Sequence, residues 1–161
     1  MFASQRAFRL RLFCTHRTPV SKTLDYWPDL PIVMEYGGSP ALDPPAPEDE
    51  DNIMAAIKQS DRVSHISLIV TRSLLKRLSA IEMRFLELED LVLLSRYSVQ
   101  PIQPRAFRWG SRLRRLHLAE ITFLALMQHL SSSRDLVGIQ LHDISDHTSG
   151  NLRRYHKVVI M

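Results

Sequence analysis

Only one cysteine, Cys14, stands in the 161 residues of this chain. That excludes a disulfide framework within the chain and a zinc site built on several thiolates, and it fits a reducing compartment. No apolar run approaches the roughly 20 residues that cross a bilayer as a helix. Acidic residues are missing from the first 24 positions, where four arginines stand. An Arg-rich, acid-poor start is a loose match to a mitochondrial transit peptide, but an amphipathic helix over 2–16, with Phe8, Leu12 and Cys14 facing inward, is the preferred reading. Arginines interrupt every apolar stretch there, so a secretory signal peptide is not expected of it.

Catalytic signatures are missing too. Ser131, Ser132 and Ser133 do not lie in a G-x-S-x-G elbow, and Gly37-Gly38 lacks the Lys-Ser/Thr of a phosphate loop. Cys14 and His16, two apart on the expected helix, point away from each other. His142, Asp143, Asp146 and His147 crowd together, but their spacing matches no metal signature and reads as a solvated end. His117 and His142 would lie diagonally on adjacent strands, a pH-sensitive patch at most. The expectation is a non-enzyme with no cofactor and no metal site. The net charge of +4 is scattered over Arg6, Arg9, Arg11, Arg17 and Lys22 and over Arg105 to Arg115, with no sustained basic stripe on a helix and no aromatic-rich binding motif accompanying the arginines. That is a mild surface excess rather than a nucleic-acid footprint.

What the chain does have is one pattern written four times: Val63-x-x-Ile66-x-Leu68, Leu88-x-x-Leu91-x-Leu93, Leu113-x-x-Leu116-x-Leu118 and Leu136-x-x-Ile139-x-Leu141, with starts 25, 25 and 23 residues apart. An L-x-x-L-x-L at a period of about 20–29 is the mark of leucine-rich repeats, each supplying a short strand and a return segment. The predicted fold is therefore α/β: a short leucine-rich-repeat solenoid with parallel strands on its concave face, return helices behind and an N-terminal helix. Strands are expected over 32–36, 63–70, 86–94, 112–121 and 136–144. Return helices are expected over 73–82 and around Phe123 to Leu130, irregular chain over 96–107, and a further stub at Val158-Val159-Ile160. The acidic run Glu48 to Asp51 follows four prolines and reads as an exposed loop over 39–51 that caps a helix beginning near Ile53. Residues 1–23 would be a connecting helix and lead-in, 24–144 the solenoid, and 145–161 an irregular tail.

A strand alternates sides, so the residues between the consensus leucines point away from the core. These are His65, Ser67 and Ile69; Asp90, Val92 and Leu94; Arg115, His117 and Ala119; Gly138, Gln140 and His142. Mixed in charge and polarity, this face suits a polypeptide better than a nucleic acid. The candidate partner-binding residues are His65, Ser67, Asp90, Val92, Arg115, His117 and Gln140. The asparagine that commonly follows such strands is replaced by Thr71, Arg96, Ile121 and Ile144.

Thr18-Pro19 through Leu24-Asp25-Tyr26-Trp27-Pro28, the run Leu30 to Pro40, and Asp51 to Ile57 resemble the leucine-rich-repeat part of fungal, mushroom-type F-box proteins. Leu86 to Ser95, Ala106-Phe107-Arg108-Trp109-Gly110 with Leu113 to Leu118, and Ser131 to Leu141 continue the likeness, from about residue 8 to about residue 144. The resemblance implies a substrate-recognition module of a ubiquitin-ligase adaptor, cytoplasmic or nuclear, binding an unknown protein. These residues contain no counterpart of the F-box, so docking of the Skp-type linker subunit is not expected of them. Two other expectations stand beside this one: a truncated or degenerate product without activity, and a weak, nonspecific nucleic-acid binder.

Overall fold

The computed structural model describes residues 8–27, 29–36, 45–81, 83–99, 107–109, 112–121 and 136–142. Its centre is a six-stranded parallel sheet made of β1 (Leu10–Phe13), β2 (Ile32–Glu35), β3 (Val63–Ile69), β5 (Asp90–Val99), β7 (Arg115–Ile121) and β8 (Gly138–His142). Each strand lies beside the strand of this sheet that precedes it in the chain. Parallel neighbours need a crossover. Among the described residues the crossovers carry α1 (Val20–Tyr26), α2 (Pro47–Ile57) and α3 (Arg72–Ser79). β4 (Met83–Phe85) and β6 (Phe107–Trp109), on the approaches to β5 and β7, pair in a second, two-stranded parallel sheet that the sequence pattern does not announce.

The register stacks equivalent positions. Leu12 pairs with Met34, Met34 with Ile66, Ile66 with Leu91, Leu91 with Leu116 and Leu116 with Ile139. Leu68, Leu93 and Leu118 form a second apolar row. All of these but Ile139 are buried, as are Val63, Leu88 and Leu113 at the first repeat position. Each buried side chain of this size contributes about 1.5–3 kcal/mol from removal of its apolar surface from water. Behind the sheet, Leu74, Leu75 and Leu78 of α3 and Ile53, Ala56 and Ile57 of α2 close the core. Their spacing of three and four residues puts them on one helical stripe. Thr71 caps α3 by accepting a hydrogen bond from the Leu74 N–H at 3.0 Å.

Several expectations are corrected. The helix over 2–16 is replaced, in its described part, by β1. Leu10, Leu12 and Cys14 alternate into the core with Arg9, Arg11 and Phe13 outside, a period of two rather than 3.6. Parallel hydrogen bonds then tie β1 to β2, with Leu10 N–H donating to Pro31 O at 2.8 Å and Cys14 N–H to Glu35 O at 3.0 Å. The local helical pattern loses because the sheet satisfies both the backbone and the apolar side chains. Beyond Pro19, where only a lead-in is expected, the chain turns into α1, whose Val20 is buried.

The acidic run is the second correction. It is not a loop: α2 begins at Pro47, and Asp49 and Glu50 are buried in its first turn. Asp49 accepts from the Ala46 N–H at 3.0 Å, from the Tyr36 hydroxyl at 3.0 Å and from the His16 N–H, with His16 Nδ1 at 3.2 Å. Glu50 accepts from the Thr71 hydroxyl and from the Ser73 hydroxyl at 3.0 Å. Burial opposes the charge on Asp49 most strongly, yet the backbone donors, the Tyr36 hydroxyl and His16 together hold its carboxyl below the ordinary range. The acids thus bind three successive strand ends together. β5 also runs to Val99, into a stretch expected to be irregular. The expected helix near Phe123 to Leu130, the tail from 145 and the stub at Val158 lie outside the described residues.

Two stability tests follow. Leu10→Asp should unfold the protein or strip most of its stability, whereas Phe8→Asp, at a position 83% exposed, should be near neutral in a urea melt; the expected helix would make Phe8 the sensitive site. Asp49→Ala should cost about 2–4 kcal/mol in the same measurement, since it orphans several donors at once.

Candidate functional site

Two neighbouring rows on the face of the sheet opposite the core carry the candidate residues, beside a third made of Ile69, Leu94, Ala119 and His142. The first runs Arg11, Val33, His65, Asp90, Arg115, Gly138 across the six strands, and the second Phe13, Glu35, Ser67, Val92, His117, Gln140. All seven candidate residues lie in these rows: His65 and Ser67 on β3, Asp90 and Val92 on β5, Arg115 and His117 on β7, Gln140 on β8. All but Ser67 also line one cavity of about 270 Å³.

At its centre is a three-strand polar contact. Arg115 donates through Nε to Asp90 Oδ1 and through Nη2 to Asp90 Oδ2 at 2.5 Å, the two-pronged geometry that Arg alone offers a carboxylate. His65 Nδ1 lies 3.2 Å from Asp90 Oδ2. An ionised carboxylate only accepts, so Nδ1 carries the hydrogen of this bond and Nε2 is left for other partners. Burial is the largest influence on Asp90 and opposes its charge; the hydrogen bonds and positive charge of Arg115, with those of His65, outweigh it and hold the carboxyl below its ordinary value. Asp90 in turn raises the Arg115 pKa. The Asp90 side chain is only 7% exposed and that of Arg115 is 74% exposed. Asp90 is therefore a positioning residue that holds the guanidinium up to solvent, not itself a contact surface.

The sequence reading missed the contribution of the first two strands. Arg11 donates to Glu35 at 2.7 Å and lies over the Phe13 ring at 5.7 Å from its centroid, extending the mixed face beyond the four repeats. The alternation Leu10-x-Leu12-x-Cys14 was the signal that could have placed them. His142 pairs with Ala119, which sets it diagonally to His117 in the register. Asp143, Asp146 and His147 lie outside the described residues. Among the described residues no group of three or more His, Cys, Asp or Glu side chains is arranged to hold a metal ion, and no helix is long and apolar enough to cross a membrane. Cys14 is buried, which pushes its thiol up to about 12 and keeps it out of thiolate chemistry. Four further arginines are ion-paired: Arg9 with Glu89, Arg62 with Asp29, Arg77 with Asp51 and Arg112 with Glu87.

No family model, no curated protein and no solved structure matches this chain.

The ionised Asp90 predicts a pH signature. Its folded pKa is depressed, so its contribution to stability is complete above the unfolded carboxylate value of about 3.9 and is lost as pH falls through the folded value. Urea melts at a series of pH values from neutral to acid should show the wild type losing stability below that point, and Asp90→Asn losing less of it. At neutral pH Asp90→Asn should cost about 1–3 kcal/mol. Parallel pH profiles would mean that Asp90 does not carry this charge in the folded state.

Proposed function

We propose that this chain is a protein-binding module, a short leucine-rich-repeat solenoid that takes a polypeptide on the outward rows of its parallel sheet. The observation that carries the reading is the chain-order, in-register stacking of strands. It repeats one small unit sideways and lays out a continuous face of alternating polar, charged and apolar side chains. Repeat architectures of this kind form extended binding surfaces because each unit contacts only its neighbours. Half-buried Val92 beside His117 and Gln140 offers an apolar contact flanked by hydrogen-bonding groups, the mixture that suits a polypeptide. Arg9, Arg11, Arg62, Arg77, Arg112 and Arg115 are held in ion pairs, which argues against a nucleic-acid surface at these positions, since a phosphate backbone would have to compete with carboxylates already in place.

The finer reading is that the bound protein is a substrate for ubiquitination. It rests on the resemblance to the repeat region of fungal F-box proteins. Its check is the half-life of the captured protein in cells, which should lengthen when this chain is removed.

The direct test is capture by the tagged full chain. A discrete protein should be retained by the wild type and by Lys58→Glu, a substitution on an exposed residue after α2. The pair Val92→Arg and Gln140→Arg should weaken retention about tenfold or more, as expected for central contacts. Equal retention by all three proteins would remove the sheet face from the account.

A further inference from the structure

The first outward row carries an interrupted charge pattern. From β3 outward, His65 meets Asp90 and Asp90 meets Arg115, but the next residue in register is Gly138. Opposite charges side by side on neighbouring strands are stabilising, and an acid on the far side of Arg115 would continue the alternation. Among the described residues no side chain stands there in the register. A Cβ built on Gly138 meets nothing within 4 Å, so the place is open space rather than a close approach of backbone.

Arg115 is prepared for a second acceptor. A guanidinium has five N–H donors and more than one flat edge. Asp90 occupies the Nε and Nη2 side, while Nη1 has no partner among the described residues. Because buried Asp90 fixes the fork, its outer edge is presented with less entropy to lose than a free arginine would have. Val92, His117 and Gln140 of the next row border the same cavity.

The geometry points to a carboxylate site at this gap: an Asp or Glu side chain of a bound polypeptide docks over Gly138 against the outer edge of Arg115 and supplies the acid that the row lacks. The inference rests on the sheet-face reading above and names the chemistry of its ligand. A monoanion fits better than a phosphate dianion, because the guanidinium is already half-neutralised by Asp90 and a second strong negative charge would face that carboxylate. Gln140, which both donates and accepts, suits the peptide group flanking such a side chain.

The test is an NMR titration of the full isotope-labelled chain with an oligo-glutamate peptide, with oligo-glutamine and inorganic phosphate as comparison probes. Oligo-glutamate should shift the amide signals of Arg115, Gly138 and Gln140 saturably, and oligo-glutamine should not. Gly138→Ala, which leaves the gap open, should bind as the wild type does. Gly138→Glu, which fills it with an internal carboxylate, should weaken binding about tenfold or more. Arg115→Gln is a second, independent removal of the site, with the same loss expected. No shift with oligo-glutamate, equal affinity in Gly138→Ala and Gly138→Glu, or phosphate binding as tightly at the same residues would each overturn the inference. Failure here with partner capture still sensitive to Val92→Arg and Gln140→Arg would sink the carboxylate site alone. Capture indifferent to that pair would sink the sheet-face reading beneath it.

Discussion

Everything in this protein depends on parallel strands stacked in register. A parallel ladder sets like positions side by side, and a strand sends alternate residues to opposite faces. Once Leu91 lies beside Leu116, Asp90 must lie beside Arg115 and Val92 beside His117. The same hydrogen bonds that align the apolar rows therefore assemble the polar ones. A slip of one residue would bury Arg115 and His117 and expose Leu116 and Leu118, so the burial of the leucines is also what holds the outward face in place.

The ends of the strands are tied by a different device. Asp49 and Glu50 stand in the first turn of α2, where the helix dipole favours negative charge, and each also accepts from groups of neighbouring units. Thr15, His16 and Tyr36 follow β1 and β2, Thr71 follows β3, and Asn52 reaches back to the Thr15 carbonyl at 2.8 Å. Buried carboxylates are tolerable only with such complete partnership. The outward face uses the same logic once more, with Asp90 surrendering its oxygens to Arg115 and His65 so that those two can meet solvent.

The repeats were legible because their signal is redundant: three leucine-type positions per unit, written four times, fix strand, register and face together. The outward residues of β3, β5 and β7 named from that pattern pair in the register expected of them, but Ile69, expected to be open on that face, is buried. α3 was legible from Leu74, Leu75 and Leu78. β1 was not, because Phe8 and Leu12 also fit a helical period over so short a stretch, and only the pairing with β2 decides between them. The acidic run misled for a similar reason. Composition alone makes Glu48 to Asp51 look solvated, and nothing local reveals that Tyr36, His16 and Thr71 will converge on it. Nor does the pattern show that Asp90, on the outward face, gives its oxygens to Arg115 and His65 rather than to a ligand.

The central claim is the register that places Asp90, Arg115 and Gly138 side by side, and cross-strand nuclear Overhauser contacts between backbone protons test it most directly. This register requires contacts linking the Arg115 segment to Asp90–Leu91 on one side and to Gly138–Ile139 on the other, in a parallel pattern. Contacts that shift either strand by one residue, or an antiparallel pattern, would contradict it.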